Sequence, residues 1–365
     1  MRIFKKYLKK NRYDIQFFCS SPIDEVWIRS ILIKCHSNGI KVQLSVIGEL
    51  DLKIKSLYLN KNIDIIDGQK NSFKKSAKYD CKLCITASSG INRNIYKTNA
   101  MKLIHMPHSL ASLHMIYPEN AFWGYDEIFC AGPHHKFEIQ AFNKLYNLNI
   151  STSDIGYGKF DLLCQAFIEY KLNNQKEDNN NKRKKILIAP SWGSDNILDK
   201  FGPELSMYLK NKNYEIIFRP HPIFFSEPSS NFKKIIELSK KELVTLESPY
   251  DGDSSIFYSD ILIGDYSGIN LEFAALRNKP LISVDVKNKV SNKNWFDLGI
   301  TPIEIKIRKD IGCLVKPDLN KILEAVNILE TNSKENNYKK DIYKKFLFNK
   351  GKCSEMALKR IFNLI

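Results

Sequence analysis

Short apolar runs alternate along the chain with longer stretches whose apolar positions recur every three or four residues. "DIQFFCS" (14–20) predicts a strand. "SSPIDEVWIRSILIKCHSNG" (20–39) predicts a helix, with Ser21 as cap, Pro22 in the first turn, Asp24 near the positive end and Gly39 as the stop. "KVQLSVIG" (41–48) returns as a strand, and strand–helix–strand units of this kind imply a parallel sheet. Further strands are predicted at "KLCITAS", "KLIHMPHS" and "DEIFCAG", the last leading into a helix "PHHKFEIQAFNKL", and "ISTSDIGYGKFDLL" closes this half. The polar, Asn-rich "KLNNQKEDNNNKRKK" (171–185) has no apolar period and reads as a linker or exposed loop. The alternation then restarts with "ILIAPSW", "YEIIFRPHP", "LVTLES", "DILIGDYSG" and "PLISVDV" as strands. Two successive α/β halves follow, as the length of 365 residues allows.

This pattern gives the polar residues a place. Ligands of open α/β sheets bind outside the carboxyl ends of the strands, and the chain puts "HMPHS", "AGPHH", "RPHP" and "GDYSG" there. Five of the seven histidines (His105, His108, His114, His134 and His135) fall within 31 residues. Histidine is the side chain best suited to proton exchange near neutral pH; His36, His105 and His114 are read as structural. In "RPHP" two prolines stiffen the loop around His221, and Arg219 adds a permanent planar cation suited to a diphosphate. Ser267 is placed to cap the helix "INLEFAAL", and Gly268 leaves room for a ligand at the backbone. The first-turn amides there form an anion site without a Walker or GxGxxG signature. Glu272, five residues beyond Ser267, is placed either to accept from ribose hydroxyls or to be an ordinary solvated helix residue.

Composition narrows the partners. Lys and Arg number 56 against 40 Asp and Glu, a formal charge of +16, and "MRIFKKYLKKNR" opens the chain with six cations and no acid. Such a field favours anionic partners, whether nucleic acid, phosphorylated sugars or an anionic membrane surface, although a Lys-rich background alone produces the same count. No helix-turn-helix, zinc-finger or RNP signature supports nucleic acid. The eight cysteines are scattered, which fits a reduced, cytosolic protein. Cys81 and Cys84 have redox or zinc spacing in "CKLC", but no second pair completes a metal site, so core packing is expected and no metal is assigned. The sequence shows no secretory signal and no apolar run near the ~20 residues of a membrane span.

The blocks "HMPHS", "AGPHHKFEIQAF", "IGYGKFDLL", "ILIAPSW", "FRPHP" and "SDILIGDYSGINLEFAALRNKPLI" occur in the order of the CDP-glycerol glycerophosphotransferase family. The chain resembles that family, which includes teichoic acid and capsule enzymes, from about residue 100 to 290. The resemblance implies an α/β fold of GT-B type, two Rossmann-like domains with parallel sheets facing a cleft. Their bounds would be 1–170 for the acceptor side, 171–185 for the linker and 186–345 for the nucleotide-donor side, with a C-terminal helix, 346–365, packing back on the first. It implies transfer of a polyol phosphate from a CDP-alcohol to an acceptor hydroxyl in a lipid-linked or polysaccharide acceptor, with release of CMP and no cofactor. His108 matches the histidine of a His-Gly motif, with Ser109 in place of the glycine. His221 matches the histidine of Arg-x-His-Pro, and Asp265, Ser267 and Glu272 match the donor block. On that model His108 and His221 are catalytic. Arg219, Asp265, Ser267, Gly268 and Glu272 hold the donor, and Ser109, His134 and His135 are candidates for the acceptor side. The enzyme would work in the cytoplasm, at the inner face of the membrane. A GT-B glycosyltransferase using a nucleotide sugar is the alternative, since fold alone does not separate the two.

Overall fold

The computed structural model describes residues 13–68, 81–91, 102–174, 183–248, 254–331 and 341–365. The basic segment 1–12 and most of the predicted linker, 175–182, lie outside them. The chain divides into two units, Met1–Leu162 with Asn292–Leu298 and Leu347–Ile365, and Leu163–Ser291 with Gly299–Phe346.

The first unit is built on a seven-stranded parallel sheet of order β3-β2-β1-β4-β5-β6-β7. Its strands are β1 (Ile15–Cys19), β2 (Val42–Val46), β3 (Asp64–Ile66), β4 (Leu83–Thr86), β5 (Lys102–His105), β6 (Glu127–Cys130) and β7 (Ser151–Asp154). In the centre Phe17 pairs with Leu44 on one side and Ile85 on the other. Every residue of β1, β2 and β4 is buried, as expected of parallel strands covered on both faces. One face packs on α1 (Glu25–Ser37) through Ile28, Ile31 and Leu32, and on the C-terminal helix Cys353–Phe362 through Ala357 and Ile361. That helix is fixed at its start by Asp161, whose carboxylate accepts from the amides of Cys353 (2.8 Å) and Ser354 (2.7 Å). Near its end Arg360 makes a two-pronged ion pair with the buried Glu127, at 2.8 and 2.9 Å. The opposite face packs on α2 (Pro133–Tyr146) through Ile139 and Phe142. Cys84 joins this core, Cys81 is buried beside it, and all eight cysteines are free thiols.

The second unit carries a six-stranded parallel sheet of order β10-β9-β8-β11-β12-β13. Its strands are β8 (Lys185–Ala189), β9 (Glu215–Phe218), β10 (Thr245–Leu246), β11 (Ile261–Gly264), β12 (Leu281–Val284) and β13 (Cys313–Val315). Leu187 pairs with both Ile217 and Leu262. Helices Ile197–Asn211, Ser230–Lys240 and Leu319–Thr331 cover the sheet with Leu198, Leu205, Phe232, Ile322 and Val326.

The division falls at Leu162, inside the helix Gly158–Asn173, rather than at the expected residue 170. The helix begins against the first unit: a Cβ at Gly158 would stand 2.0 Å from the Trp27 carbonyl oxygen, so only glycine fits. Further along, Phe167 packs on Phe257 of the second unit, with ring centres 5.9 Å apart. The predicted linker therefore starts inside a helix, and its last residue, Lys185, opens β8.

Candidate active site

In the second unit the strand order turns back between β8 and β11, the point at which open α/β sheets form a crevice. The chain leaves β8 as "PSWGSDN" and β11 as "DYSG". Asp265, 1% exposed, ties the two loops together. Its Oδ1 accepts from the Ser191 amide at 2.9 Å and its Oδ2 from the Ile197 amide at 3.1 Å. The Asn270 side-chain amide donates back to the Asp265 carbonyl at 2.8 Å. Asn270 comes so close that a Cβ at Gly264 would lie 2.1 Å from its Oδ1, which accounts for glycine at the strand's end. Ser267 is the extended cap of the helix Gly268–Arg277, its Oγ 3.5 Å from the Ile269 amide. Gly268 opens that helix, half-buried, and Glu272 is buried on it.

The neighbouring "RPHP" loop leaves β9. Arg219 Nη1 donates to Glu247 Oε2 at 3.1 Å, and the buried Glu247 also accepts from the Ser255 amide at 3.2 Å. His221 Nδ1 accepts from the Ile223 amide at 3.3 Å, leaving Nε2 as the ring nitrogen able to carry the proton of the neutral form. The imidazole stands 6.5 Å from the half-exposed Trp192 ring. On the same indole lies the Lys289 ammonium, 5.6 Å from the ring centre and 3.9 Å from Asp265 Oδ1.

In the first unit the order turns back between β1 and β4. Asp24 Oδ2 gathers the Ser20 amide (3.0 Å), the Ser21 amide (3.2 Å) and the Ser88 hydroxyl (3.0 Å) across that point. His108 follows β5 and is half-buried; its Nδ1 is 2.9 Å from the Tyr117 hydroxyl. The Tyr157 hydroxyl donates to the His108 carbonyl at 3.0 Å and accepts from Trp27 Nε1 at 2.9 Å. Burial pushes the His108 pKa down, against the pull of the Asp24 carboxylate, so the imidazole is neutral at neutral pH and available to take a proton. The loop that carries it is pinned from α2. His134 Nε2 donates to the Leu110 carbonyl (2.9 Å) and His135 Nε2 to the Ala111 carbonyl (2.8 Å). Both rings are buried, and burial lowers both pKa values. Ser109 Oγ accepts from the Ala111 amide at 3.1 Å within the same turn.

Residues 128–288, which include the β8 and β11 loops and the "RPHP" loop and end one residue before Lys289, match the family model of CDP-Glycerol:Poly(glycerophosphate) glycerophosphotransferase. Over that stretch the chain is similar to this family, which supports a glycerophosphotransferase-like enzyme. No curated relative matches the sequence. Among solved structures, the wall teichoic acid polymerase TagF aligns over 97% of this chain and 89% of its own, at 15% identity and a TM-score of 0.62. A histidine-to-asparagine variant of TagF soaked with CDPG aligns over 98% of this chain and 90% of its own, at 15% identity and a TM-score of 0.61. A UDP-GlcNAc 2-epimerase from Neisseria meningitidis, bound to UDP-GlcNAc, aligns over 96% and 98% at 14% identity and a TM-score of 0.56. These likenesses give the α/β fold with two parallel sheets, the GT-B-like architecture.

The chain brings Asp265, Ser267, Gly268 and Glu272 to one sheet edge in its second unit, with Arg219 and His221 on the adjoining strand's loop. His108 and Ser109 stand at the corresponding edge of the first unit, outside the matched residues. His134 and His135 act there through backbone carbonyls, holding the loop rather than presenting their rings. Sequence reasoning missed four residues. Glu247 and Asp24 have partners, Arg219 and Ser88, that are 28 and 64 positions away. Trp192 was quoted in "ILIAPSW" but given no role, although an aromatic at a strand's carboxyl end is a usable signal. Lys289 is one lysine among many in "VKNKVSNKN", and nothing local marks it.

Proposed function

We propose that the enzyme transfers a polyol phosphate from a CDP-alcohol, CDP-glycerol being the donor closest to the matched family, to an acceptor hydroxyl, releasing CMP. The observation that carries this reading is the family match over residues 128–288, which takes in the edge built by Asp265, Ser267 and Gly268. The dipole and first-turn amides of the helix starting at Gly268 suit a diphosphate. Asp265 serves that edge as a positioning residue, since both its oxygens are spent on backbone amides. Phosphoryl transfer asks the protein chiefly to place charges and to remove one proton. His221 supplies a proton or a hydrogen bond beside the phosphate, and His108 is the base for the attacking hydroxyl. The acceptor is a lipid-linked or polysaccharide hydroxyl of the cell surface, met where the enzyme lies against the inner membrane face.

Incubation with a panel of CDP-alcohols and nucleotide sugars tests the reading. CMP released from CDP-glycerol or another CDP-alcohol is expected. Release of a nucleoside diphosphate from a sugar donor would instead establish glycosyl transfer, and no turnover of either class would overturn the assignment.

A further inference from the structure

Arg219 is the cation that the sequence offers to a phosphate, yet its charge is held by the buried Glu247 carboxylate. At the switch point itself the cation is Lys289, in the loop after β12, with a side chain only 7% exposed. Its Nζ lies 3.5 Å from the Tyr266 carbonyl oxygen, a long hydrogen bond, and 3.9 Å from Asp265 Oδ1. That second distance is well beyond the ~2.8 Å of a charge-assisted hydrogen bond, and Asp265 already accepts two backbone amides. Beside it the Ser191 hydroxyl is buried without a hydrogen-bond partner. An ammonium has three donors to satisfy, and burying one so sparsely partnered is costly unless another anion completes its surroundings.

We propose that Lys289, with the Ser191 hydroxyl, binds the phosphate end of the nucleotide donor at this switch point, while Arg219 holds the fold of its loop through Glu247. The inference rests on the donor reading above and deepens it. The groups facing Lys289 are the Asp265 and Asp195 carboxylates, which favour its charged form, and the Trp192 ring. Asp195 is itself paired with Lys200 at 2.7 Å. Burial outweighs these carboxylates and brings the ammonium down to about 8. The phosphate of a nucleotide, with a second pKa near ~6, only gains charge as pH rises above 7, so any loss of affinity at higher pH reports on the protein.

The experiment is calorimetric titration of the full chain with CMP and CDP from pH 7 to 9.5, for the wild type, K289R and K289M. Wild-type affinity should fall as pH rises through the lysine's titration, by up to about tenfold per pH unit. K289R, permanently charged, should hold its affinity across the range, and K289M should bind at least about tenfold more weakly at pH 7, the scale of a lost charged hydrogen bond. If K289M unfolds too readily to be titrated, the wild type against K289R decides alone. A wild-type affinity independent of pH, or K289M binding like the wild type, overturns the role of Lys289 and leaves the donor reading standing. A wild type that binds neither nucleotide overturns both.

Discussion

His108, the proposed base, is under two opposed influences, burial that strips its charge and the Asp24 carboxylate that restores part of it. As its pKa lies below the ordinary 6.5, kcat/KM should stay level through neutral pH and fall only as pH drops through that depressed value. Replacing Asp24 by Asn should move the acid limb further down, because the restoring charge is gone; an unmoved limb would assign it to another group. His108→Ala and His221→Ala should each remove most turnover, on the order of the 10²–10⁴-fold of a general acid or base, with unchanged circular dichroism. Arg219 belongs to a different argument. Truncating it to Ala strands the buried Glu247 and should cost about 3 kcal/mol in urea unfolding. Adding Glu247→Gln should recover much of that loss, with CMP affinity near the wild-type value, if the pair is structural. What the sequence could carry at this scale was residue type at strand ends: Ser267, Gly268 and His221 stand after β11 and β9 as expected, because cap, glycine and proline-flanked histidine are local signals. Charge partners such as Glu247, and the lysine chosen by the fold at 289, are set by contacts between distant strands and have no local signature.

Elements followed the hydrophobic pattern closely wherever both faces of a strand are buried. "DIQFFCS", "KVQLSVIG" and "DILIG" became β1, β2 and β11 because a parallel strand between covering layers is apolar throughout. The pattern weakened at sheet edges. "LVTLES" yields only the two-residue strand Thr245–Leu246, since an edge strand needs few apolar residues. The helix Gly158–Asn173 was hidden by Gly156 and Gly158 at its start, and that start is fixed by the contact with Trp27 rather than by propensity. The buried histidines of the first unit have a consequence for stability. His105 is wholly buried, with Nδ1 on the Ser88 carbonyl at 3.1 Å, and burial pushes its pKa down to about 3. His134 and His135 are shifted in the same direction. In the unfolded chain each would titrate near 6.5, so the unfolded state binds more protons below that pH and stability must fall with it. For His105 alone the slope is about 1.4 kcal/mol per pH unit between pH 6.5 and its folded pKa. Urea midpoints should therefore drop from pH 7 to 5, less steeply in His105→Leu. A variant with the wild-type slope would mean that the ring is protonated in the fold.

At the scale of the whole molecule the excess of cations matters more than any one of them. A formal charge of +16 on 365 residues gives a field that draws the chain toward anionic surfaces. No helix among the described residues is long and apolar enough to cross a membrane; the excess of cations supports an electrostatic, interfacial attachment. Residues 1–12 lie outside the described residues, but their sequence sets Phe4, Tyr7 and Leu8 among six cations, the mixture that favours the headgroup layer. Each such cation contributes about 1 kcal/mol near an anionic leaflet, enough in sum for reversible binding and weak enough to be screened by salt. Flotation with vesicles of neutral lipid, and of neutral lipid with phosphatidylserine or phosphatidylglycerol, tests this directly. The protein should rise with the anionic vesicles at low salt, lose most of that binding as salt is raised, and lose it at low salt when residues 1–12 are deleted. Equal partition onto neutral and anionic vesicles would show that charge is not what attracts it, and full binding by the deleted chain would move the contact to the basic surface of the folded units.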